Sequence, residues 1–155
     1  MWIYMSWYRP GYICLIDESL DSKLYIQILK EDLQMSIEEW QLAQGEFIFQ
    51  YNNDSKHTTK ITKAYLDSIN LTEAEGIILY WPAQSPDLNP IEHIWAYLKR
   101  QLSKYRTKPK SCQELWERIS VEWYKIPAEF YQTLIKNMLY RLRAVARAKG
   151  KQTKY

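Results

Sequence analysis

Two short segments and one charged region hold the residues whose types and spacing could do chemistry. The segment Trp81-Pro82-Ala83-Gln84-Ser85-Pro86-Asp87-Leu88-Asn89-Pro90-Ile91-Glu92-His93-Ile94-Trp95 carries one carboxylate, Glu92, just inside a helix start. By local physics Asn89 is a good N-cap, Pro90 suits the first helical position and Glu92 sits at the third, which makes a capping box. Capping alone does not require the whole preceding Ser-Pro-Asp-Leu-Asn-Pro pattern. A second segment, Phe49 to Thr58, groups Asn52, Asp54, Lys56 and His57. Its Asp54-Ser55 pair offers caps to a helix beginning near Lys56. The third feature is a series of cations. Lys99, Arg100, Lys104, Arg106, Lys108 and Lys110 follow Glu92, and Arg141, Arg143, Arg147 and Lys149 crowd the last helix. Phosphate contacts need such exchangeable charge rather than base-reading geometry. The competing reading is a solvated surface with basic side chains favoured near helix C-termini.

The charge distribution sharpens that choice. Net charge is only +3, yet residues 1–93 sum to −8 and residues 94–155 to +11. Such polarity fits a second part that faces a polyanion.

The segment Trp81 to Trp95 closely resembles a motif of mariner-like transposases, members of the superfamily that uses an Asp-Asp-Glu or Asp-Asp-Asp metal triad. Phe49 to Thr58 resembles a second family motif. The ending, Ala148-Lys149-Gly150 through Thr153-Lys154-Tyr155, is similar to the family's C-terminus, and Trp2 to Asp17 resembles its second and third strands. The resemblance covers nearly the whole chain and implies an α/β, RNase-H-like fold. It also implies two-metal phosphoryl transfer, with carboxylates holding two Mg²⁺ or Mn²⁺ ions that activate the attacking oxygen and stabilise the leaving one. Hard divalent cations prefer such charged oxygen ligands.

Carried over residue by residue, the resemblance puts the family's glutamate at Glu92 and its second aspartate at Asn52. An amide oxygen can ligate Mg²⁺ but brings no negative charge. Thirty-nine residues separate the two positions, a few more than the family's usual count, and the polar loop Asn70–Gly76 can absorb the excess. Asp54 is an alternative ligand if the strand continues, and a helix cap if it does not. Lys56 and His57 match the family's Lys-His pair, either as DNA-phosphate contacts or as a helix start held against the core. His93 has no partner pattern and reads as structural or exposed. The family's first aspartate and its upstream helix-turn-helix region have no counterpart in these residues. Asp17, Glu18 and Asp21 read as turn acids and a helix start.

These positions depend on the elements around them. Trp2–Tyr8 and Tyr12–Ile16 are apolar runs either side of Arg9-Pro10-Gly11, a turn signal, and predict a hairpin. From about Leu24 to Trp40 the period is helical, with Leu24, Ile28, Leu29, Leu33, Ile37 and Trp40 on one face. Phe47–Tyr51 and Ile77–Trp81 are strand candidates, and helices are expected over 56–68, 90–105, 111–125 and 127–149, the last stopped by Gly150. The order implies a mixed sheet with helices packed on it. With the resemblance added, the expected fold is an RNase-H-like mixed sheet lacking its first strand, over residues 1–105, followed by basic C-terminal helices over 106–155. That strand belongs between the hairpin and the Phe47–Tyr51 strand. Its absence predicts exposed apolar edges that invite self-association, with a detached or unstable hairpin favoured over direct closure.

At 155 residues with 46% hydrophobic and 25% charged content, the chain suits one globular domain, and its seven Trp and thirteen Tyr predict a ring-rich core. No stretch is long and apolar enough to span a bilayer. Cys14 and Cys112 fit no metal motif and suit a reducing compartment, so an intracellular location, nuclear or cytoplasmic, is expected. The functional expectation is a transposase-derived, nucleic-acid-binding fragment with a poorly held Mg²⁺ or Mn²⁺ site and no strand-cutting activity. Its partner is DNA rather than a membrane or a small-molecule substrate. Two alternatives stand beside it. One is an active DNA strand-transferase completed by residues outside this chain. The other is a non-enzymatic interaction protein adapted from a transposon.

Overall fold

The computed structural model describes residues 1–42, 47–51, 54–71, 85–151 and 153. The chain divides into two compact units, Met1–Trp2 with Cys14–Ser85, and Ile3–Ile13 with Pro86–Tyr155.

The first unit is built on a helix that begins where the Asp21 carboxylate accepts from the Lys23 and Leu24 amides at 2.9 and 2.8 Å. It runs as α1 (Ser22–Ile28), a π-helical turn (Leu29–Leu33) and α2 (Gln34–Glu39). Tyr25, Ile28, Leu29 and Leu33 form its buried face together with Ser36, while Ile37 and Trp40 are half-buried. Against this packs α3 (Lys60–Ser68), which buries Thr62 and Leu66. It starts four residues later than the sequence predicts. Asp54 spends its carboxylate on the Lys56 amide and ammonium, and its carbonyl accepts from the His57 amide, which closes a separate turn. The Thr59 hydroxyl then caps the helix by accepting from the Thr62 amide at 3.2 Å. Of the expected 47–51 strand the structure keeps an isolated bridge at Phe49, and the strand expected over 77–81 lies outside the described residues.

Strands β1 (Trp2–Met5) and β2 (Pro10–Cys14) pair as a two-stranded sheet, the one sheet among the described residues. The turn falls at Ser6–Arg9 rather than at Arg9-Pro10-Gly11. Gly11 serves within the strand instead. A Cβ there would lie 2.2 Å from the Tyr4 ring, and the Gly11 carbonyl accepts from the Trp123 indole at 2.9 Å. Glycine inside a strand marks such a close approach. The hairpin is not detached. Ile3 is buried in a cluster with Ile94, Leu98, Ile119, Trp123, Ile126, Tyr131 and Leu134, and Met5 and Ile13 pack on its margin.

The helices of this second unit follow the expected order. A 3₁₀ turn at Pro86–Leu88 leads into α4 (Ile91–Leu102), and Ser111 caps α5 (Cys112–Tyr124) through the Glu114 amide. The single helix expected over 127–149 is two, α6 (Ala128–Lys136) and α7 (Met138–Arg147), parted at Asn137. The stop at Gly150 is as predicted. Lys149 and Gly150 take φ of 52° and 76°, and the Gly150 amide closes back on the Val145 carbonyl at 3.0 Å.

Candidate catalytic motif and nucleic-acid surface

Glu92 stands in the first turn of α4, on the side away from the buried Ile94 and Leu98. Its neighbour Asn89 caps as the sequence predicts, accepting from the Ile91 amide at 3.1 Å. The reciprocal half of a capping box is missing, because the Asn89 amide donates to the Pro86 carbonyl at 3.0 Å instead of to Glu92. The Glu92 carboxylate is therefore exposed and not engaged in capping. At helical spacing, Ala96, Lys99 and Arg100 share its exposed face. His93 is half-buried. Burial, and then the nearby Arg141 guanidinium, hold its imidazole below the ordinary value, with Glu92 opposing the shift.

The residue that the motif reading missed is Asp87. It is 9% exposed, and its Oδ2 accepts from the Thr153 amide at 3.2 Å and the Thr153 hydroxyl at 2.9 Å. Its backbone carbonyl accepts from the Arg141 guanidinium at 3.3 Å. Both ends of this clasp lie in family-like segments, the Ser-Pro-Asp-Leu-Asn-Pro run and the C-terminal tail. Their joint occurrence was the available signal. The clasp gives Asp87 of that run a role beyond capping.

In the first unit, Asp54 makes the local turn and ion pair with Lys56 already described, and the helix cap expected of it falls to Thr59. The Lys56 amide bond, followed by the ammonium, holds the Asp54 carboxyl below the usual carboxylate range. His57 is 9% exposed and stacks on the buried Tyr25 ring at 4.1 Å, with the Tyr51 ring edge-on at 6.0 Å. Its position is that of a core residue, which agrees with the alternative of a segment held against the core. Asn52, and with it the expected closeness of Asn52 and Glu92, lies outside the described residues. Among the described residues no three His, Cys, Asp or Glu side chains cluster so as to hold a metal ion.

Of the expected DNA-facing cations, Lys99, Arg100, Lys104, Arg106, Arg143 and Arg147 are exposed. Arg141 is not. At 2% exposure its guanidinium lies buried, donating to the Asp87 carbonyl. The loop after α4 is fastened to α5 from beneath. Tyr105 donates to Glu122 at 3.0 Å, Arg118 lies over the Tyr105 ring at 4.7 Å and donates to the Thr107 carbonyl, and the Lys110 amide donates to Glu114 at 2.7 Å. The side chains of Lys104, Arg106, Lys108 and Lys110 are left exposed on a loop whose backbone is held. No described helix is long and apolar enough to cross a membrane.

The model of the DDE superfamily endonucleases matches residues 9–115. The Tcb1 transposable-element transposase of Caenorhabditis briggsae is 35% identical over 141 residues, 88% of this chain and 47% of that protein. This chain thus spans about half the length of the curated relatives it matches. Among solved structures, the catalytic domain of Mos1 mariner transposase superposes with a TM-score of 0.82 at 23% identity, covering 98% of this chain and 74% of that one. A Mos1 mariner paired-end complex with Mn matches at a TM-score of 0.84 and 20% identity, over 98% of this chain and 44% of that one. The fold is therefore the mixed α/β, RNase-H-like fold of that catalytic domain.

Proposed function

Because this chain belongs to the DDE superfamily endonuclease family, we propose that it is a transposase-derived DNA-binding protein that does not cut DNA by itself. The observation that carries DNA binding is the held loop after α4, which presents Lys104, Arg106, Lys108 and Lys110 beside Lys99 and Arg100 of α4's last turns. Fixing the backbone beneath a row of cations lowers the ordering cost of binding a phosphate chain, while the cations supply sequence-independent affinity through counterion release. Arg143 and Arg147 extend the same sign of charge along α7. In this reading Lys56 is a minor contributor, being paired with Asp54. The paired-end assembly of the Mos1 relative is in keeping with DNA as partner.

The absence of cutting rests on the donor set. Mg²⁺ or Mn²⁺ would have to be shared by Glu92 and the neutral Asn52, with Asp54 already given to Lys56. One carboxylate does not fit a pair of divalent cations, whose mutual repulsion needs several negative ligands to offset it. The alternative is an active strand-transferase completed by residues outside this chain. It is favoured by one observation, that the chain spans about half of its relatives. Nicking of supercoiled DNA with Mg²⁺ or Mn²⁺ separates the two. No metal-dependent nicking is expected from the 155-residue chain, and Asn52→Asp should raise Mn²⁺ affinity by about tenfold or more, as one added charge near a cation implies. Nicking by the unaltered chain that disappears in Glu92→Gln overturns the proposal. The division into a catalytic part over 1–105 and a basic extension over 106–155, and self-association through strand edges, remain part of this proposal.

A further inference from the structure

The hairpin turn carries two exposed aromatic rings that neither the core nor the catalytic motif uses. Trp7 is 36% and Tyr8 62% exposed. A flexible turn would let such rings collapse onto the surface, but this one is knotted by a single hydroxyl. The Ser6 Oγ accepts from the Tyr8 and Arg9 amides at 3.1 and 3.2 Å and donates to the Arg9 carbonyl at 3.0 Å, while the Ser6 amide donates to that same carbonyl. A serine hydroxyl that satisfies its own turn in this way holds the next two residues at the tip. The base of the tip is equally fixed, since Ile3 is buried and the Trp123 indole holds the Gly11 carbonyl.

Two cations lie close to the rings. The Lys136 ammonium, at the end of α6, lies over the Trp7 ring at 5.4 Å, and Arg9 is exposed beside Tyr8. No acidic residue occurs between Met1 and Ile16. A rigid aromatic pair with flanking cations has the chemistry of a single-strand nucleic-acid platform, on which a base stacks while cations meet the neighbouring phosphates. We propose that the Ser6–Arg9 tip is a second DNA contact, separate from the loop after α4, and that it takes an unpaired base of DNA on Trp7 and Tyr8. This rests on the DNA-binding reading above, but differs from it in what is recognised. The loop after α4 meets phosphates of any strand, whereas the tip needs a base face that a perfect duplex does not offer.

The test uses the full 155-residue chain and three labelled probes: a perfect duplex, the same duplex with one bulged base, and the single strand. Binding is read by fluorescence anisotropy at fixed salt. Trp7→Ala with Tyr8→Ala is expected to weaken the bulged duplex and the single strand at least about fivefold, in the range that one stacked base contributes, and to leave the perfect duplex nearly unchanged. Trp7→Phe, which keeps a ring, should retain most of the affinity and also controls for loss of fold. Equal weakening of all three probes, or no weakening, overturns the tip as a base platform while the DNA-binding reading stands. Absence of duplex binding by the unaltered chain removes that reading instead. Concentration-dependent self-association that the double variant abolishes, with all DNA affinities unchanged, also overturns the proposal and makes a second copy of the chain the occupant.

Discussion

Asp87 and Glu92 are five residues apart in one motif and do opposite things. Asp87 turns inward and binds Thr153, while Glu92 faces out without a capping bond. Replacing Asp87 by Ala leaves the Thr153 amide and hydroxyl without their acceptor in a part-buried place, where an unmade hydrogen bond costs about 1–3 kcal/mol. Urea unfolding should show that loss for Asp87→Ala and a smaller one for Thr153→Val. The double variant should cost less than the sum, because both remove one interaction. Additive losses would mean that the clasp contributes nothing of its own. His93 supplies a pH signature at the same scale. Its folded-state value lies below the ordinary 6.5, so the unfolded chain binds the proton first as pH falls. Its contribution to stability is present above about 6.5 and is lost as pH drops through the folded value. His93→Gln should flatten the stability-versus-pH curve in that window, and an unchanged slope would remove His93 as its source.

Among the elements, the hairpin formed as its sequence predicts, but with its turn displaced. Pro and Gly are strong turn signals, and Arg9-Pro10-Gly11 reads as one. The structure uses Ser6 for the turn because a hydroxyl can satisfy three backbone groups there, and uses Gly11 because the Tyr4 ring occupies the space of a side chain. Gly11→Ala should therefore destabilise the chain by about 1–3 kcal/mol, the usual range for overpacking. In a Tyr4→Ala background the same change should cost much less. Thermal or urea melts of the four variants check this, and an equal cost in both backgrounds would locate the strain elsewhere. The late start of α3 has a similar origin. Asp54 and Thr59 both offer caps, and the Lys56 ammonium draws Asp54 into a local turn, leaving Thr59 to start the helix.

For the whole molecule, the separation of charge into −8 over residues 1–93 and +11 over residues 94–155 gives the clearest functional signal. Joint replacement of Lys99, Arg100, Lys104 and Arg106 by Gln should lower duplex affinity and reduce the slope of log K against log salt by up to about 3–4, roughly one unit per lost phosphate contact. Arg141→Gln should act differently, lowering stability through the Asp87 clasp with little change in that slope. A salt slope that ignores the four replacements would direct attention to Arg143 and Arg147 of α7. Self-association through exposed strand edges belongs to this scale as well. Sedimentation of the chain across a concentration series tests it, and a concentration-independent monomer speaks against it.

The sequence by itself determined the family, the starts of α4 and α5, the stop at Gly150, the cap at Asn89 and the polarity of charge. Each depends on local spacing, local backbone preference or composition, which a linear reading contains. Only the tertiary structure decided which cations are available. Arg141 and Arg143 stand two residues apart on one helix, and a turn of about 100° per residue puts the first in the core and the second in solvent. Tertiary packing likewise sent His57 inward onto Tyr25, seated the hairpin on the Trp123 core, and joined Asp87 to Thr153 across 66 residues of chain. Contacts at that separation depend on where distant surfaces meet, and no local pattern encodes that meeting.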